Sequence, residues 1–300
     1  PNTYHVKAWV GDVDFGSWKY DKVTAMRQPG STFKLFVYSS AFENDDEITP
    51  TTHYVDSYIS MQVPDAKSPN KMTNWTPHNA DGVYSNASMT LKRAFALSVN
   101  TIAVKVGQDT GIDNIVKIAH SMGVNSKLDA TPSLALGSSD VTLLELVNSY
   151  ATVMNDGIAH KPVLVTKVID RDGEVIYDCE KDEKPAHRAM KYKTAFYMQR
   201  MLYAGVNAGG TSSSLRWQYC PTFNDIDLGG KTGTSNNHSD AWFVGCTSNL
   251  VAGSWVGGEY RCIHFQNGAQ GQGSKTALPI VGDFMQRVFK DTHYMHYPKK

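Results

Sequence analysis

Ser31-Thr32-Phe33-Lys34, directly behind Arg27-Gln28-Pro29-Gly30, constrains this chain more than any other run of residues. Pro29-Gly30 is a break signal, so the four residues after it open a helix. Ser31 and Lys34, three apart, then share one helix face. At a helix start, free backbone N–H groups and the macrodipole favour a developing negative charge beside Ser31. A lysine with an ordinary pKa is protonated at neutral pH and is no base, whereas one buried beside other donors is depressed and can take the seryl proton. The pair therefore reads as a nucleophile and its base. The competing reading is an N-cap serine followed by a solvated helical lysine.

Two further segments favour the chemical reading. The first is Ser98-Val99-Asn100, inside Leu91-Lys92-Arg93-Ala94-Phe95-Ala96-Leu97-Ser98-Val99-Asn100-Thr101; the second is Lys231-Thr232-Gly233-Thr234, behind Gly229-Gly230. Two polar side chains separated by one residue diverge on a regular helix, so a turn is expected at 98–100. Strand alternation places Lys231 and Gly233 on one face and Thr232 and Thr234 on the other. A glycine inside a strand permits close approach of another backbone, and an unpaired strand edge can receive an extended peptide.

Ser-x-x-Lys, Ser-x-Asn and Lys-Thr-Gly, in that chain order, form the motif set of penicillin-binding proteins and related serine enzymes. The flanks Arg27-Gln28-Pro29-Gly30, Trp75-Thr76-Pro77-His78-Asn79, Ala135-Leu136-Gly137-Ser138 and Asp240-Ala241-Trp242-Phe243-Val244-Gly245 narrow the match. From about Val6 to about Phe289 the chain resembles the transpeptidase module of class A penicillin-binding proteins. It departs from the family's pattern at Leu35, where proline is commoner, and at Cys246, where an aromatic is usual.

The resemblance implies a D,D-transpeptidase that cross-links peptidoglycan. Ser31 would be the nucleophile, Lys34 the base for acylation and Ser98 the relay of a proton to the departing amine. Asn100 would bind the substrate's amide backbone and Thr232 and Thr234 its carboxylate. Lys231 would hold Ser98 and add positive potential, Gly233 would let the substrate peptide approach, and the backbone N–H groups of Ser31 and Thr234 would form the oxyanion hole. The implied partners are a D-Ala-D-Ala stem-peptide donor, an amine acceptor and β-lactams as covalent inhibitors. Other enzymes share the acylating serine. A serine β-lactamase needs a base for deacylation, and no segment resembles the class A glutamate loop, while class D enzymes favour an apolar residue where Asn100 stands. A noncatalytic β-lactam sensor and a strict D,D-carboxypeptidase are further alternatives.

Composition bounds these readings. With 300 residues and 41% hydrophobic composition the chain can bury a substantial core. Lys plus Arg and Asp plus Glu each total 29, giving zero net charge and no basic run to hold nucleic acid. Ten histidines without a metal-binding spacing, and four cysteines without Cys-x-x-Cys, give no reason to expect a metal or cofactor. Free thiols are the expected state of the cysteines. No apolar run of about 18 residues could span a bilayer. The chain opens at Pro1, so it reads as a fragment; the resemblance implies that the full-length protein is membrane-anchored at the periplasmic face of the inner membrane, and its class A members usually carry a glycosyltransferase domain upstream, which nothing in this chain resembles. The expected organisation is a transpeptidase domain over 1–290 and a tail over 291–300.

Periodicity supplies the elements. Residues 5–10 alternate as a strand; 49–86 is long and irregular and is expected to cover part of the cleft; 89–107, 112–122, 141–154, 195–206 and 277–290 read as helices. The runs 163–169 and 174–178 form a hairpin around Asp172-Gly173, and 229–235, 241–247 and 250–257 are strands. Strands at both ends with helices between them predict an α+β fold in which the N-terminal strand returns to the C-terminal sheet. The resemblance adds a five-stranded antiparallel sheet packed by the first and last helices, an all-helical subdomain beside it, and the active site between them.

Overall fold

The turn after Pro29 does what its sequence demands. A 3-10 turn over Gly30–Phe33 runs without a break into α1 (Lys34–Asn44). The computed structural model describes residues 1–291 except 15, 17, 18, 66, 67, 69 and 208. Residues of α1 from Lys34 to Phe42 are buried on every side, so this helix is the axis of the core, not an amphipathic surface helix. The irregular stretch that follows carries β1 (His53–Val55), β2 (Met61–Pro64), β3 (Met72–Trp75) and β4 (Ser88–Thr90), paired as β1 with β4 and β2 with β3. Helices α2 (Leu91–Leu97), α3 (Asn100–Thr110) and α4 (Ile112–Ser121) pack around α1.

A capping box of Thr142 and Glu145 opens α5 (Leu143–Met154). Next come β5 (Ile158–Ala159), the hairpin β6 (Lys167–Ile169) and β7 (Val175–Asp178), the short α6 (Cys179–Asp182), β8 (His187–Arg188) and α7 (Tyr192–Val206). The chain closes with β9 (Gly229–Thr234), β10 (Asp240–Cys246), β11 (Val251–Gly257), α8 (Gly268–Gly271) and α9 (Ala277–Lys290). Strands β9 to β11 form an antiparallel sheet in the order β11-β10-β9.

Alternation along β10 divides the core between the sheet's two faces. Trp242, Val244 and Cys246 join the main core with α1, α5 and α7, while Phe243 joins Leu278, Val281, Met285 and Phe289 of α9. Those four α9 positions recur every three or four residues, and each buried side chain stabilises the sheet face by roughly 1.5–3 kcal/mol.

Three expectations need correction. The architecture is a mixed α/β one, but among the described residues the main sheet has the three strands β9 to β11, and a five-stranded sheet is not formed. Residues 5–10 do not reach it. They are held at their start instead, where Tyr4 is buried against Ala151 and Val163, and Val6 N donates to Val163 O at 2.9 Å in an isolated bridge. Alternation made this segment able to pair but could not name the edge it meets. The helix expected over 89–107 is two helices, broken where Ser98 takes a left-handed conformation at φ 59°, ψ 39°. The proposed tail lies outside the described residues beyond position 291. The cysteines Cys179, Cys220, Cys246 and Cys262 are free.

Arg27 joins the Ser31 turn to the sheet. Its backbone pairs with Val141 in both directions, at 3.0 and 2.9 Å, and its side chain is buried. The guanidinium donates to the carbonyls of Gly258 and Glu259 and lies 4.9 Å from the Trp255 ring centroid. Its Nε stands 3.8 Å from Asp240 Oδ1. Arg27→Ala leaves Asp240 buried without its counter-charge and is expected to cost about 3–5 kcal/mol, the usual loss when one partner of a buried pair is removed. Urea unfolding checks this; a loss under about 1 kcal/mol would show that Ser239 and Trp255, which also bond Asp240, suffice.

Candidate active site

Close backbone contacts hold Ser31 against β9. Gly30 has φ +54°, and a Cβ there would sit 2.5 Å from Thr234 O; a Cβ at Gly233 would overlap Pro29 O. Both positions need glycine because two main chains meet there. At Gly233 the backbone that approaches is the protein's own Pro29. Trp242 Nε1 donates to Gln28 O at 2.7 Å, and Thr32 Oγ1 to Pro29 O at 2.7 Å, which fixes the turn from both sides. Ser31 itself is half-buried. Among the described residues nothing bonds its hydroxyl or its backbone N–H, so both are free for a ligand.

Lys34 and Lys231 are fully buried and converge on Ser98. Lys34 Nζ lies 2.7 Å from Ser98 O, 2.6 Å from Asn100 Oδ1 and 3.2 Å from Ser98 Oγ. Lys231 Nζ donates to Ser98 Oγ at 2.8 Å and to Thr232 O at 3.0 Å. Burial first, and then the charge of Lys231, hold Lys34 well below its ordinary lysine value, while burial brings Lys231 down to about 7. A neutral Lys34 amine has two hydrogens, which the two carbonyl oxygens of Ser98 and Asn100 take up. Its lone pair is left for a proton, and the Ser98 hydroxyl, already accepting from Lys231, can turn its own hydrogen toward it. No hydrogen bond joins Ser31 and Lys34; side-chain rotation must close that contact, as is common in unliganded sites.

The break at Ser98 makes this convergence possible. Its left-handed backbone turns the Ser98 hydroxyl toward both lysines while Asn100 opens α3 beside them. A non-glycine residue pays about 1–2 kcal/mol for that conformation, a cost typical of functional positions. Asn100 Nδ2 donates to His78 O at 2.7 Å, so its carbonyl end must face Lys34.

Strand β9 is the open edge of its sheet. Ser235 N donates to Asp240 O at 2.9 Å, so by the alternation of an antiparallel ladder the N–H and C=O groups of Thr232 and Thr234 point away from β10. Thr234 N–H therefore faces the Ser31 turn. At the other end of the strand α7 covers the edge, since a Cβ at Gly205 would stand 2.6 Å from Gly230 O. Thr232 Oγ1 donates to Thr211 Oγ1 at 2.9 Å, and Thr234 Oγ1 accepts from Gly273 N at 3.1 Å.

Ser31, Lys34, Ser98, Asn100, Lys231, Thr232, Gly233 and Thr234, expected from sequence to meet, are thus brought together by the turn after Pro29, the α2–α3 junction and β9. Sequence reasoning missed the supporting groups. Asn79 Oδ1 accepts from Asn100 N at 2.9 Å, and Thr211 and Gly273 touch the two threonines. The Trp75–Asn79 run carried a motif signal without a role. Thr211 and Gly273 carried none, because their use depends on loops folding over β9.

The fold and this constellation have the groups that a serine acyl-transfer centre requires. Residues 1–286 match the penicillin binding protein transpeptidase domain, and the chain belongs to that family. It is similar to penicillin-binding protein 1A of Rickettsia typhi, at 32% identity over 97% of this chain and 38% of that protein. To penicillin-binding protein 1A of Neisseria gonorrhoeae it is 32% identical, over 95% of this chain and 34% of that protein. The crystal structure of penicillin-binding protein 1A from Haemophilus influenzae superposes with a TM-score of 0.79 at 27% identity, covering 94% of this chain and 45% of that one. The chain thus spans little more than a third of the length of the curated relatives it matches.

The two lysines set a pH dependence. If Lys34 must be neutral and Lys231 charged, the second-order rate of Ser31 acylation rises as Lys34 loses its proton and falls as Lys231 titrates near pH 7. Lys231→Ala removes the falling limb. It also removes the charge that depresses Lys34, so the rising limb shifts to higher pH. Stopped-flow acylation by a fluorescent penicillin over pH 5–9 measures both limbs; a rising limb that stays put or moves down would rule out the coupling.

Proposed function

We propose that this chain is a D,D-transpeptidase that cross-links peptidoglycan stem peptides through a Ser31 acyl-enzyme. The observation that carries this reading is the free Ser31 hydroxyl standing between an open β9 edge and a hydroxyl shared by two depressed lysines. A stem peptide lies along Thr232 and Thr234 as an added strand, with its terminal carboxylate at their hydroxyls and the Lys231 charge, and its amide at Asn100. Ser31 Oγ attacks the penultimate D-Ala carbonyl and its proton passes to Lys34. The oxyanion sits on Ser31 N–H and Thr234 N–H. Collapse breaks the peptide bond, and the proton reaches the leaving D-Ala amine through Ser98. A second stem's amine then enters, gives up a proton along the same path, and releases Ser31.

β-Lactams acylate the same serine. Deacylation by water would need a second base, and the carboxylate nearest in the hydrogen-bond network, Asp56, has both oxygens committed to Asn79, Thr101 and Ser85. That favours a transpeptidase over a β-lactamase. We assign residues 1–290 to the transpeptidase domain. Among the described residues no helix is long and apolar enough to cross a membrane. Because the chain spans little more than a third of its curated relatives, this reading places attachment at the periplasmic face, and a glycosyltransferase domain, in a longer protein of which the chain would be one part.

Ser31→Ala should abolish labelling by a fluorescent penicillin and leave the unfolding midpoint nearly unchanged, because the half-buried hydroxyl makes no bond that the change would break; an effect within about 0.5 kcal/mol is expected. Persistent labelling would refute the nucleophile assignment. The penicilloyl adduct followed by intact mass spectrometry should last many minutes, whereas an added D-amino acid should shorten the life of an acyl-enzyme made from a stem-peptide mimic. Free enzyme returning within seconds from the penicillin adduct would mark a β-lactamase instead.

A further inference from the structure

We propose that Asp56 is a positioning residue for Ser31 acylation, acting through Asn79 to cap α3 and hold Asn100 against Lys34. This rests on the acyl-enzyme reading above. Asp56 is buried and its carboxylate accepts four hydrogen bonds: from Asn79 Nδ2 at 2.8 Å and Thr101 Oγ1 at 2.6 Å on one oxygen, and from Ser85 N at 2.9 Å and Ser85 Oγ at 2.8 Å on the other. Burial alone would raise its pKa, but the donors from Thr101, Ser85 and Asn79 outweigh it and hold the carboxyl below its usual range, so it acts as a fixed anion.

The need for it comes from the α2–α3 break. Helix α3 starts after Val99, which has no side-chain acceptor for the first free N–H groups. Asn79 supplies one across the cleft, its Oδ1 accepting from Asn100 N at 2.9 Å and Thr101 N at 3.4 Å. An amide side chain can do this only with its Nδ2 turned the other way, and Asp56 Oδ1 together with Val83 O receives that end. Asp56 thereby sets which end of Asn79 faces α3. The same segment delivers His78 O to Asn100 Nδ2, which sets which end of Asn100 faces Lys34. The irregular 49–86 stretch is in this way tied to α3 at two consecutive residues. The groups around Lys34 are the neutral Ser98 and Asn100 from the α2–α3 junction and the charge of Lys231 from β9; Asp56 stands behind Asn79 and acts by orientation.

Two variants test this, Asp56→Asn and Asn79→Asp. Asp56→Asn replaces one acceptor by a donor that faces two donors, and Asn79→Asp keeps the α3 acceptor but sets its other oxygen against Asp56. Each single variant should slow penicillin acylation at least tenfold, move the rising limb of the pH profile upward as water reaches Lys34, and speed hydrogen exchange at the Asn100 amide in Asp56→Asn. The double variant Asp56→Asn with Asn79→Asp restores the donor–acceptor match between these two side chains but not the bond to Val83 O, and should run at least threefold faster than either single variant. A purely structural role would lower the unfolding midpoint and the active fraction while the pH profile of the remaining enzyme kept its place. That outcome overturns the proposal, as does an acylation rate within twofold of wild type or an Asn100 amide that exchanges no faster. Hydrogen exchange does not depend on Ser31 chemistry; if wild type were unlabelled by penicillin while the amide still responded, the acyl-enzyme reading would fall and the capping would stand without its catalytic role.

Discussion

Two lysine side chains are buried together with a single hydroxyl between them, and much of the surrounding structure serves that arrangement. Lys34 and Lys231 each bind a proton more weakly in the folded protein than in the unfolded chain, so between about pH 7 and the ordinary lysine value of 10.5 the unfolded state holds more protons. Stability therefore rises with pH across that window, and at neutral pH the pair is a burden on the fold. The large core around α1 and the Trp242 side of β10 offset it. In the proposed reaction the same burial suits Lys34 to act as a base, while Lys231, brought down to about 7, keeps part of its charge at neutral pH.

Geometry comes from three places where regular structure stops. The 3-10 turn presents Ser31 at a helix start, the left-handed Ser98 aims a hydroxyl between Lys34 and Lys231, and α7 ends its cover of β9 before Thr232. The first and the last leave backbone groups free. The unpaired Ser31 N–H and the outward N–H of Thr234 are the donors an oxyanion requires, and the uncovered edge at Thr232 and Thr234 is where a peptide can extend the sheet. Arg27 and Gly233 keep the turn and the strand in register with one another, so the donors cannot drift apart.

Much of this was legible in the chain. The strands β9 to β11 and helix α9 fall within a residue or two of where residue character and helical period put them: β10 is a mostly apolar run buried on both faces, and α9 buries one face at helical spacing. The hairpin around Asp170 to Gly173 follows from its turn residues. Residues 5–10 had equally good alternation and did not join the sheet, since a strand is completed by a partner and Tyr4 had already anchored the segment near Val163. The break at Ser98 was half legible: helical period ran straight through it, while the divergence of Ser98 and Asn100 required a turn.

What the sequence by itself determined is the set of candidate reacting groups and their order, because Ser-x-x-Lys, Ser-x-Asn and Lys-Thr-Gly are short patterns whose chemistry belongs to the residues themselves. Only the tertiary structure decided what those groups are worth. A lysine's basicity depends on how completely other segments exclude water from it, and the direction of an amide such as Asn79 or Asn100 depends on which donor or acceptor a distant loop presents. Such pairings as Asp56 with Asn79, or Ser98 with Lys231, join residues 23 and 133 positions apart, and no local periodicity carries that information.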